Sequence, residues 1–242
     1  MKDHSKGNSW IDYWMRSSTV DGRLCLKLRL FSKLWPRKVI DFLDHGIKRL
    51  FDIFFASLAL LLSSPIFVLT ALLIKLEDGG PVFFTQTRVG YRGKLFSMWK
   101  IRSMVIGADE GKDRLRVQNE MRGGVIFKMK SDPRMTCVGK MIRRYSVDEL
   151  PQLWNVLNGD MSMVGPRPAL PMEVQEYSAE DRQRLLIKPG ITCLWQVSGR
   201  NEIDFAGQVH LDIDYIRSSG IWTDLKLLVL TIPAVVSGKG AN

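Results

Sequence analysis

The sequence predicts a mainly helical α+β protein. It combines one apolar membrane helix with one compact cytosolic domain whose amphipathic helices reach the membrane interface. Three observations support this fold class: residues 53–74 carry no charge, residues 79–105 hold short β-rich runs between glycine turns, and most later segments have helical patterns. We expect a basic extension over residues 1–45, the membrane helix over 46–76 and the cytosolic domain over 77–242.

Composition narrows the possible functions. The chain has 242 residues, 45 % of them hydrophobic, and a formal net charge of +10. Such a surplus attracts polyanions, namely nucleic acid, anionic lipid headgroups or phosphorylated substrates. The three cysteines include no CxxC pair, which disfavours a zinc site or a disulfide framework, and with only three histidines carboxylates should carry any acid–base chemistry. P-loop and Rossmann motifs are absent from the sequence.

The first 45 residues predict a basic, weakly ordered segment. Residues 23–30 alternate as a strand would, yet Leu24, Leu28, Phe31 and Trp35 also share one face of a helix. We expect an amphipathic segment that lies on lipid or on the main domain.

The charge-free run over residues 53–74 would form about 33 Å of helix, which is enough to cross a bilayer core. However, Pro65 cannot donate a hydrogen bond to the carbonyl of Leu61, so the helix should bend there. The hydroxyls of Ser63 and Ser64 could satisfy the freed carbonyls. The residue pattern leaves two interpretations open: a re-entrant helix broken at Ser64 and Pro65, or a kinked helix that spans the membrane.

Charge on both sides of the run favours the re-entrant interpretation. Lys48 and Arg49 precede the run and Lys75 follows it, whereas a spanning helix should be flanked by excess positive charge on its cytoplasmic side only. We expect Lys48, Arg49 and Asp52 to form an ion-paired anchor at the level of the lipid headgroups.

The remaining elements follow from shorter signals. Gly79-Gly80-Pro81 and Gly90-Tyr-Arg-Gly93 predict turns around short strands, and Asp132-Pro133-Arg134 predicts another turn. We expect an exposed helix or loop over 106–122, a short basic helix over 138–145, a helix from about Asp148 to Leu157 that Asn158-Gly159 ends, and a charged helix over 173–187. The amphipathic tail, 203–236, places Trp222, Leu225, Leu228 and Leu230 where they could meet a membrane interface.

The densest chemical signal is the pair Asp148 and Glu149. One interpretation is structural, because Ser146 and Glu149 match a capping box at a helix start. The other is a catalytic pair that binds Mg²⁺ through its carboxylates while one of them attacks phosphorus. Guanidinium groups that could hold a diphosphate around this pair come from Arg102, Arg143, Arg144, Arg167 and Arg200.

Several separated motifs together resemble the monotopic phosphoglycosyl transferases, also called bacterial sugar transferases. In order, they are Lys48-Arg-x-x-Asp52, Ser64-Pro65, Gly80-Pro-Val-Phe-Phe-x-Gln-x-Arg88-x-Gly90, Lys100-x-Arg-Ser-Met104, Asp132-Pro-Arg134, Asp148-Glu-Leu-Pro-Gln152, Gly165-Pro-Arg-Pro168, Lys188-Pro-Gly-Ile-Thr192 and Trp195-Gln-Val-Ser-Gly-Arg200. The resemblance covers residues 48 to about 236, and the tail is similar to members that begin exopolysaccharide repeat units.

The resemblance implies a re-entrant helix broken at Ser64 and Pro65, on the cytoplasmic face of the bacterial inner membrane. It implies transfer of galactose- or glucose-1-phosphate from a UDP-sugar to undecaprenyl phosphate through a covalent aspartyl phosphosugar. Asp148 would be the nucleophile, and Glu149 would help bind Mg²⁺. Contacts to phosphate and uridine are expected from the arginines of the matching motifs: Arg88, Arg102, Arg144, Arg167 and Arg200. Cys193 departs from the family pattern, which has glycine there, and so leaves the local backbone conformation in question.

Two other functions remain as alternatives. A non-enzymatic membrane adaptor would use the basic surface to bind anionic lipid or a synthesis partner. Nucleic-acid binding is disfavoured, since the basic residues are dispersed and no binding motif is present. The sequence identifies neither the hexose nor the oligomeric state, and we leave a homo-oligomer open as a partner.

Overall fold

The computed structural model describes residues 20–108, 132–199 and 203–237, with side chains from residue 45 onward. The chain divides into two units, Met1–Lys48 and Arg49–Asn242. It is mainly helical, with two small sheets among the described residues. Helix α1 runs over Val20–Asp78, so the described part of the extension is helical rather than strand-like. The interfacial side chains predicted at 24–35 lie outside the described residues.

Helix α1 carries two different faces in the second unit. Buried residues recur at heptad-like spacing along one stripe, namely Asp52, Ala56, Ser63, Thr70 and Ile74. Large apolar side chains such as Leu61, Leu62 and Val68 are exposed. Over His45–Asp78 the helix is long and apolar enough to cross a membrane.

The helix assignment continues through Pro65. The hydroxyl of Ser64 donates to the Leu61 carbonyl at 2.8 Å, and the hydroxyl of Ser63 donates to the Leu60 carbonyl at 3.3 Å. Pro65 has no N–H to donate to the Leu61 carbonyl, so the Ser64 hydroxyl replaces that backbone donor, as the sequence predicted.

An antiparallel hairpin follows α1. Strands β1 (Phe83–Val89) and β2 (Leu95–Ile101) are joined by a 3₁₀ turn over Tyr91–Gly93, close to the predicted turn. The register pairs Phe84 with Lys100 and Arg88 with Phe96. Side chains on one face of a strand recur every second residue, so the even-numbered positions of both strands share a face.

Helix α2 (Cys137–Arg144), a 3₁₀ turn (Val147–Glu149) and helix α3 (Gln152–Asn158) carry the chain past the acidic pair. The basic helix and the helix stop at Gly159 (φ 88°) are confirmed. The predicted capping box is wrong: Ser146 makes no side-chain cap and adopts a left-handed backbone (φ 54°). The helix also begins later than expected, after Pro151, because proline has no N–H for the hydrogen bond to Val147.

Strands β3 (Ser162–Val164) and β4 (Gly190–Thr192) pair in parallel, with helix α4 (Pro171–Gln175) and a 3₁₀ segment (Asp181–Leu186) between them. The single charged helix expected over 173–187 is therefore wrong. Ser178 and Asp181 exchange side chain–backbone hydrogen bonds of 2.8 and 3.2 Å, and this local turn separates the two helical segments.

Helices α5 (Leu194–Ser198), α6 (Phe205–Ser218) and α7 (Ile221–Ser237) complete the described chain. The main core joins α7 to α1, α3 and β3 through residues that include Leu227, Ala56, Val156 and Met163. On α7, Trp222 and Leu230 are exposed, with 82 % of Trp222 accessible, while Leu225 and Leu228 are half-buried. A membrane-facing role for this helix stays a prediction.

Candidate active site

The even-numbered face of the hairpin forms one wall of a cavity of about 410 Å³. Strand β1 contributes Phe84, Gln86 and Arg88 to this wall. Strand β2 contributes Lys100, and Arg102 follows directly after β2. Asp148, Arg143 and Arg167 also line the cavity. A cavity of this size is in the range of small-molecule binding sites.

The position of Asp148 depends on the unusual backbone of Ser146. A left-handed conformation at a residue other than glycine costs on the order of 1 kcal/mol and turns the chain sharply. It ends α2 and starts the 3₁₀ turn, in which Asp148 is buried and Glu149 is half-buried. Strained backbone of this kind tends to occur at functional sites.

Lys100 bridges the two carboxylates. Its Nζ lies 3.3 Å from Glu149 Oε1 and 3.8 Å from Asp148 Oδ2. The sequence pattern assigned no role to Lys100, although it opens the motif Lys100-x-Arg-Ser-Met104. The available signal was the two-residue period of β2, which places Lys100 on the same face as Arg102.

The two carboxylates have different electrostatic environments. Burial raises the pKa of Asp148, and the neighbouring Glu149 adds to this effect while Lys100 opposes it. Burial acts in the same direction on Glu149, but Lys100, Arg167 and Arg143 outweigh it and lower the pKa of Glu149 below its usual range. Glu149 is therefore the first of the pair to ionise as pH rises.

Arg88 is almost fully buried at the cavity wall. Its Nη1 donates to the Pro168 carbonyl at 3.0 Å and its Nη2 to Gln86 Oε1 at 2.7 Å. Among the described residues its buried Nε has no hydrogen-bond acceptor. Burial, helped by the charge of Arg167, lowers the pKa of Arg88 to about 10, so it remains cationic at neutral pH. A buried cation with an unused donor fits an anionic ligand.

Arg167 and Arg143 are half-buried beside the acidic pair. The described residues offer the Arg167 guanidinium no hydrogen-bond acceptor, although its charge acts on both Asp148 and Glu149. The single contact of this kind for Arg143 is with the sulfur of Met135 at 3.5 Å. Both groups are thus available to a ligand in the cavity.

The other predicted arginines are engaged with protein groups or lie outside the cavity or the described residues. Arg102 lines the cavity, but its donors go to Asp78, to the Pro81 carbonyl at 2.7 Å and to the Met104 carbonyl at 3.3 Å. Arg144 is exposed, stacks on the Tyr145 ring at 5.8 Å and is not part of the cavity lining. Arg200 lies outside the described residues.

The residues predicted as a headgroup anchor also contact protein. Arg49 donates to the Leu157 carbonyl at 2.6 Å and to the Val156 carbonyl, which satisfies the C-terminal end of α3. Asp52 is buried and accepts hydrogen bonds of 3.0 Å from Ser162 Oγ and from the Met163 amide. Lys48 is half-buried, and contact of these residues with lipid stays a prediction.

The residues predicted to bind Mg²⁺ fit such an ion in donor type. Both carboxylates face one common cationic position, which the Lys100 ammonium occupies. Across the described ranges, no group of three or more His, Cys, Asp or Glu side chains could hold a metal. Two carboxylates suffice for Mg²⁺ when phosphate oxygens and water complete its coordination.

A second group of polar residues lines the cavity beyond Arg88, namely Glu173, Tyr177 and Arg184. Arg184 Nε donates to Asp212 Oδ2 at 2.7 Å, and Arg184 Nη1 donates to the Tyr177 hydroxyl at 3.2 Å. Burial raises the pKa of Tyr177 to about 12 and that of Asp212 to about 6. Nothing in the sequence pattern indicated that these residues meet, since α4, the following 3₁₀ segment and α6 are joined by tertiary packing.

Cys193 is buried and precedes α5 in an extended backbone (φ −145°, ψ 168°). Any residue adopts this conformation, so the substitution of the family's glycine by cysteine does not strain the backbone here.

Comparison with known proteins adds independent evidence. The sequence model of the family described as "Bacterial sugar transferase" matches residues 43–238. The chain is 47 % identical over 196 residues to "Galactosyl transferase CpsE" of Streptococcus agalactiae, covering 81 % of this chain and 43 % of the relative.

Two further relatives have similar identity. The chain is 41 % identical to "Undecaprenyl-phosphate galactose phosphotransferase" of Salmonella typhimurium, covering 81 % of this chain and 41 % of the relative. It is also 41 % identical to "Exopolysaccharide production protein ExoY" of Rhizobium meliloti, covering 80 % of this chain and 87 % of the relative. The match thus spans about two fifths of the first two relatives and most of the third.

Proposed function

This chain belongs to the bacterial sugar transferase family, and we propose that it transfers a hexose-1-phosphate, of galactose or glucose, from a UDP-sugar to undecaprenyl phosphate. UMP is the other product. Among the relatives, the Salmonella protein carries both undecaprenyl phosphate and galactose in its name, which supports this choice of substrates. Such a transfer would begin a lipid-linked glycan such as an exopolysaccharide.

The observation that carries the proposal is the arrangement around Asp148. A buried carboxylate lies in a cavity of about 410 Å³ beside Lys100 and two guanidinium groups, Arg143 and Arg167, that are available to a ligand. Cations around a nucleophilic carboxylate offset the charge of a diphosphate and stabilise the charge that develops during phosphoryl transfer.

The chemistry proceeds in two displacements at one phosphorus atom. A carboxylate oxygen of Asp148 attacks the sugar-bearing phosphorus, the bond to the bridging oxygen breaks, and UMP leaves with the electron pair. An oxygen of the lipid phosphate then attacks the same phosphorus, and the bond to Asp148 breaks, which regenerates the carboxylate. The covalent intermediate splits one difficult transfer into two steps and gives ping-pong kinetics.

Lys100 prepares Asp148 for attack. It favours the ionised form of Asp148 and so opposes burial and the neighbouring Glu149, which both raise the pKa of Asp148. Asp148 and Glu149 would together hold Mg²⁺, which neutralises phosphate charge when it is bound. Arg88 and Arg167 would orient the phosphate oxygens.

We further propose that α1 is re-entrant and that the protein is monotopic on the cytoplasmic face of the membrane. Just before the apolar run of α1, Arg49 and Asp52 contact α3 and β3, and just after it Glu77 and Asp78 contact α2 and Arg102. These partners belong to one polar domain, since Asn155 of α3 bonds to Ser97 and Trp99 of β2. One polar domain cannot lie on both sides of a bilayer. Both ends of the apolar run should therefore lie at the same face of the membrane.

The reaction is tested by UMP release from the purified protein in nanodiscs with Mg²⁺ and undecaprenyl phosphate. UDP-galactose, UDP-glucose, UDP-N-acetylglucosamine and UDP-N-acetylgalactosamine are offered in parallel. We expect release from a hexose donor by the wild type and by Asp214→Asn, an exposed carboxylate of α6, but not by Asp148→Asn. Removal of Mg²⁺ with EDTA should abolish release.

The adaptor alternative makes the opposite prediction. If Asp148→Asn, present at normal level, still supports glycan synthesis in cells, the protein acts as a scaffold rather than as an enzyme. A phosphosugar adduct on wild-type protein, detected by mass spectrometry and absent from Asp148→Asn, would exclude that alternative.

A further inference from the structure

The cavity extends along the hairpin and has two chemically different ends. Arg102 lies at one end, six positions along the chain from Phe96, which pairs with Arg88 near the other end. Six steps along a strand correspond to about 20 Å. We call the first end, with Met104, Val105 and Ile106, the helix end, because Arg102 there binds Asp78 of α1.

We call the second end the Glu173 end. It is formed by Glu173, Tyr177 and Arg184, which are all buried. The isolated bridge between Val89 and Ala169 holds the start of this segment against the turn side of the hairpin. Among the described residues Glu173 Oε1 accepts no hydrogen bond, while Oε2 accepts one from the Leu170 amide at 2.8 Å.

The reaction proposed above decides which end the sugar occupies. In an in-line displacement UMP leaves opposite Asp148, and the lipid phosphate must attack from the side that UMP vacated. These two groups therefore use the same part of the cavity in turn. The lipid chain lies in the membrane, so this shared part is the helix end, where α1 finishes. The sugar stays bonded to phosphorus through both steps. Because UMP and the lipid phosphate use the helix end, the sugar occupies the Glu173 end.

Charge at the Glu173 end agrees with a neutral ligand. A buried carboxylate repels phosphate, so Glu173 is unsuited to the diphosphate and suited to hydroxyl groups that donate to it. Arg184 cannot act as a further phosphate cation, because Asp212 neutralises it at 2.6 Å. The Tyr177 hydroxyl accepts from Arg184, and its own hydrogen has no acceptor among the described residues.

We propose that Glu173 and Tyr177 bind the hexose of the donor and determine which epimer is accepted. Glu173 accepts a hydrogen bond from one sugar hydroxyl, and Tyr177 donates one to another. Epimers differ in the direction of a single hydroxyl, and a site that pairs buried polar groups with a hydroxyl rejects a ligand that leaves them unpaired. This inference rests on the proposed function.

The test uses Glu173→Gln and Tyr177→Phe in the full chain. Gln retains an acceptor for the Leu170 amide, and Phe retains the ring that packs on Phe205 at 5.7 Å, so both variants should fold. Glu176→Gln, an exposed neighbour on the same segment, is the matched control. Melting temperatures establish that the variants are comparable.

We expect each variant to raise KM for the preferred UDP-hexose by about tenfold, as for loss of a hydrogen bond to a buried group. The ratio of kcat/KM between UDP-galactose and UDP-glucose should fall towards one. The inhibition constant of UMP should stay unchanged, because UMP carries no hexose. Glu176→Gln should match the wild type in all three measurements.

Two outcomes would overturn the inference. If the ratio of kcat/KM between UDP-galactose and UDP-glucose is unchanged in both variants, neither residue determines which hexose is accepted. A proportional rise in the UMP inhibition constant would assign the residues to the ribose or the uracil instead.

Calorimetry tests the sugar site independently of catalysis. Binding of UDP-galactose, UDP-glucose and UDP to Asp148→Asn is measured, so a failure of the sugar site can be told apart from a failure of the proposed reaction. A hexose contribution to binding that Glu173→Gln removes would support the sugar site even if no donor were turned over.

Discussion

Arg102 and Asp78 form a forked ion pair that joins the cavity wall to the last residue of α1. Arg102 Nη1 lies 2.6 Å from Asp78 Oδ2, and Nη2 binds the other carboxylate oxygen. One residue earlier, Glu77 accepts hydrogen bonds of 2.7 and 3.2 Å from the amides of Cys137 and Val138 at the start of α2. The end of α1 therefore holds two of the elements that surround Asp148.

Breaking this ion pair should impair catalysis without removing any group that contacts substrate. Asp78→Asn cannot accept both guanidinium hydrogen bonds, so Arg102 and the adjoining wall should shift. We expect UMP release to fall by on the order of tenfold, since small displacements of positioned groups are costly. Asp204→Asn serves as a control for carboxylate loss, because Asp204 caps α6 and is not part of the cavity lining. Wild-type turnover by Asp78→Asn would contradict this role for the ion pair.

Lys100→Met should shift the pH dependence of the reaction. The ammonium lowers the pKa of both carboxyl groups, so its removal raises the pKa of Asp148 further. Activity requires ionised Asp148 and is lost as pH falls through that pKa, so the acid limb should move to higher pH. The check is the pH–rate profile of UMP release. Lys94→Met, at the exposed hairpin turn, should keep the wild-type profile.

Arg167 and Arg144 should behave differently although both were predicted to bind phosphate. Arg167 lies in the cavity beside the acidic pair, whereas Arg144 is exposed outside it. We expect Arg167→Lys to lower kcat/KM by about 10–100-fold, because lysine cannot bind phosphate bidentately, with little change in melting temperature. Arg144→Lys should retain wild-type kinetics. Equal losses in the two variants would show that the cavity does not define the phosphate site.

Both sides of the apolar run of α1 should be accessible from the cytoplasmic face. Single cysteines at His45 and Leu76, which are both exposed, can be labelled with a membrane-impermeant maleimide after the native cysteines are replaced by serine. We expect both sites to react in inside-out vesicles and neither to react in intact cells. Labelling of the two sites from opposite faces would establish a spanning helix.

Local sequence signals predicted the elements whose cause is local. The hairpin follows from β-rich runs between turns, and the end of α3 follows from glycine at position 159. The hydrogen bond from the Ser64 hydroxyl to the Leu61 carbonyl follows from the adjacent proline. Asp148 and Glu149 were identifiable through the family motif, because the residue pattern alone also fitted a capping box at a helix start.

Other features could not be read locally. A capping box at Ser146 was the simpler prediction, but the packing of α2 and the proline at 151 impose a left-handed backbone and a 3₁₀ turn. Arg102 matched the motif of a phosphate ligand, yet its donors are used by Asp78, which is 24 residues away in sequence. Such pairings depend on contacts that no periodicity encodes.

The sequence by itself determined that this chain carries an apolar run with a proline near its middle, a basic composition and an adjacent pair of carboxylates. These properties depend on residue type and on spacing over a few positions. Tertiary structure alone decided which side chains share the cavity: Lys100 rather than Arg144 beside the acidic pair, and Glu173 with Tyr177 at the far end. The reason is that electrostatic and hydrogen-bonding partners are set by distance in space, and packing brings together strands and helices far apart in the chain.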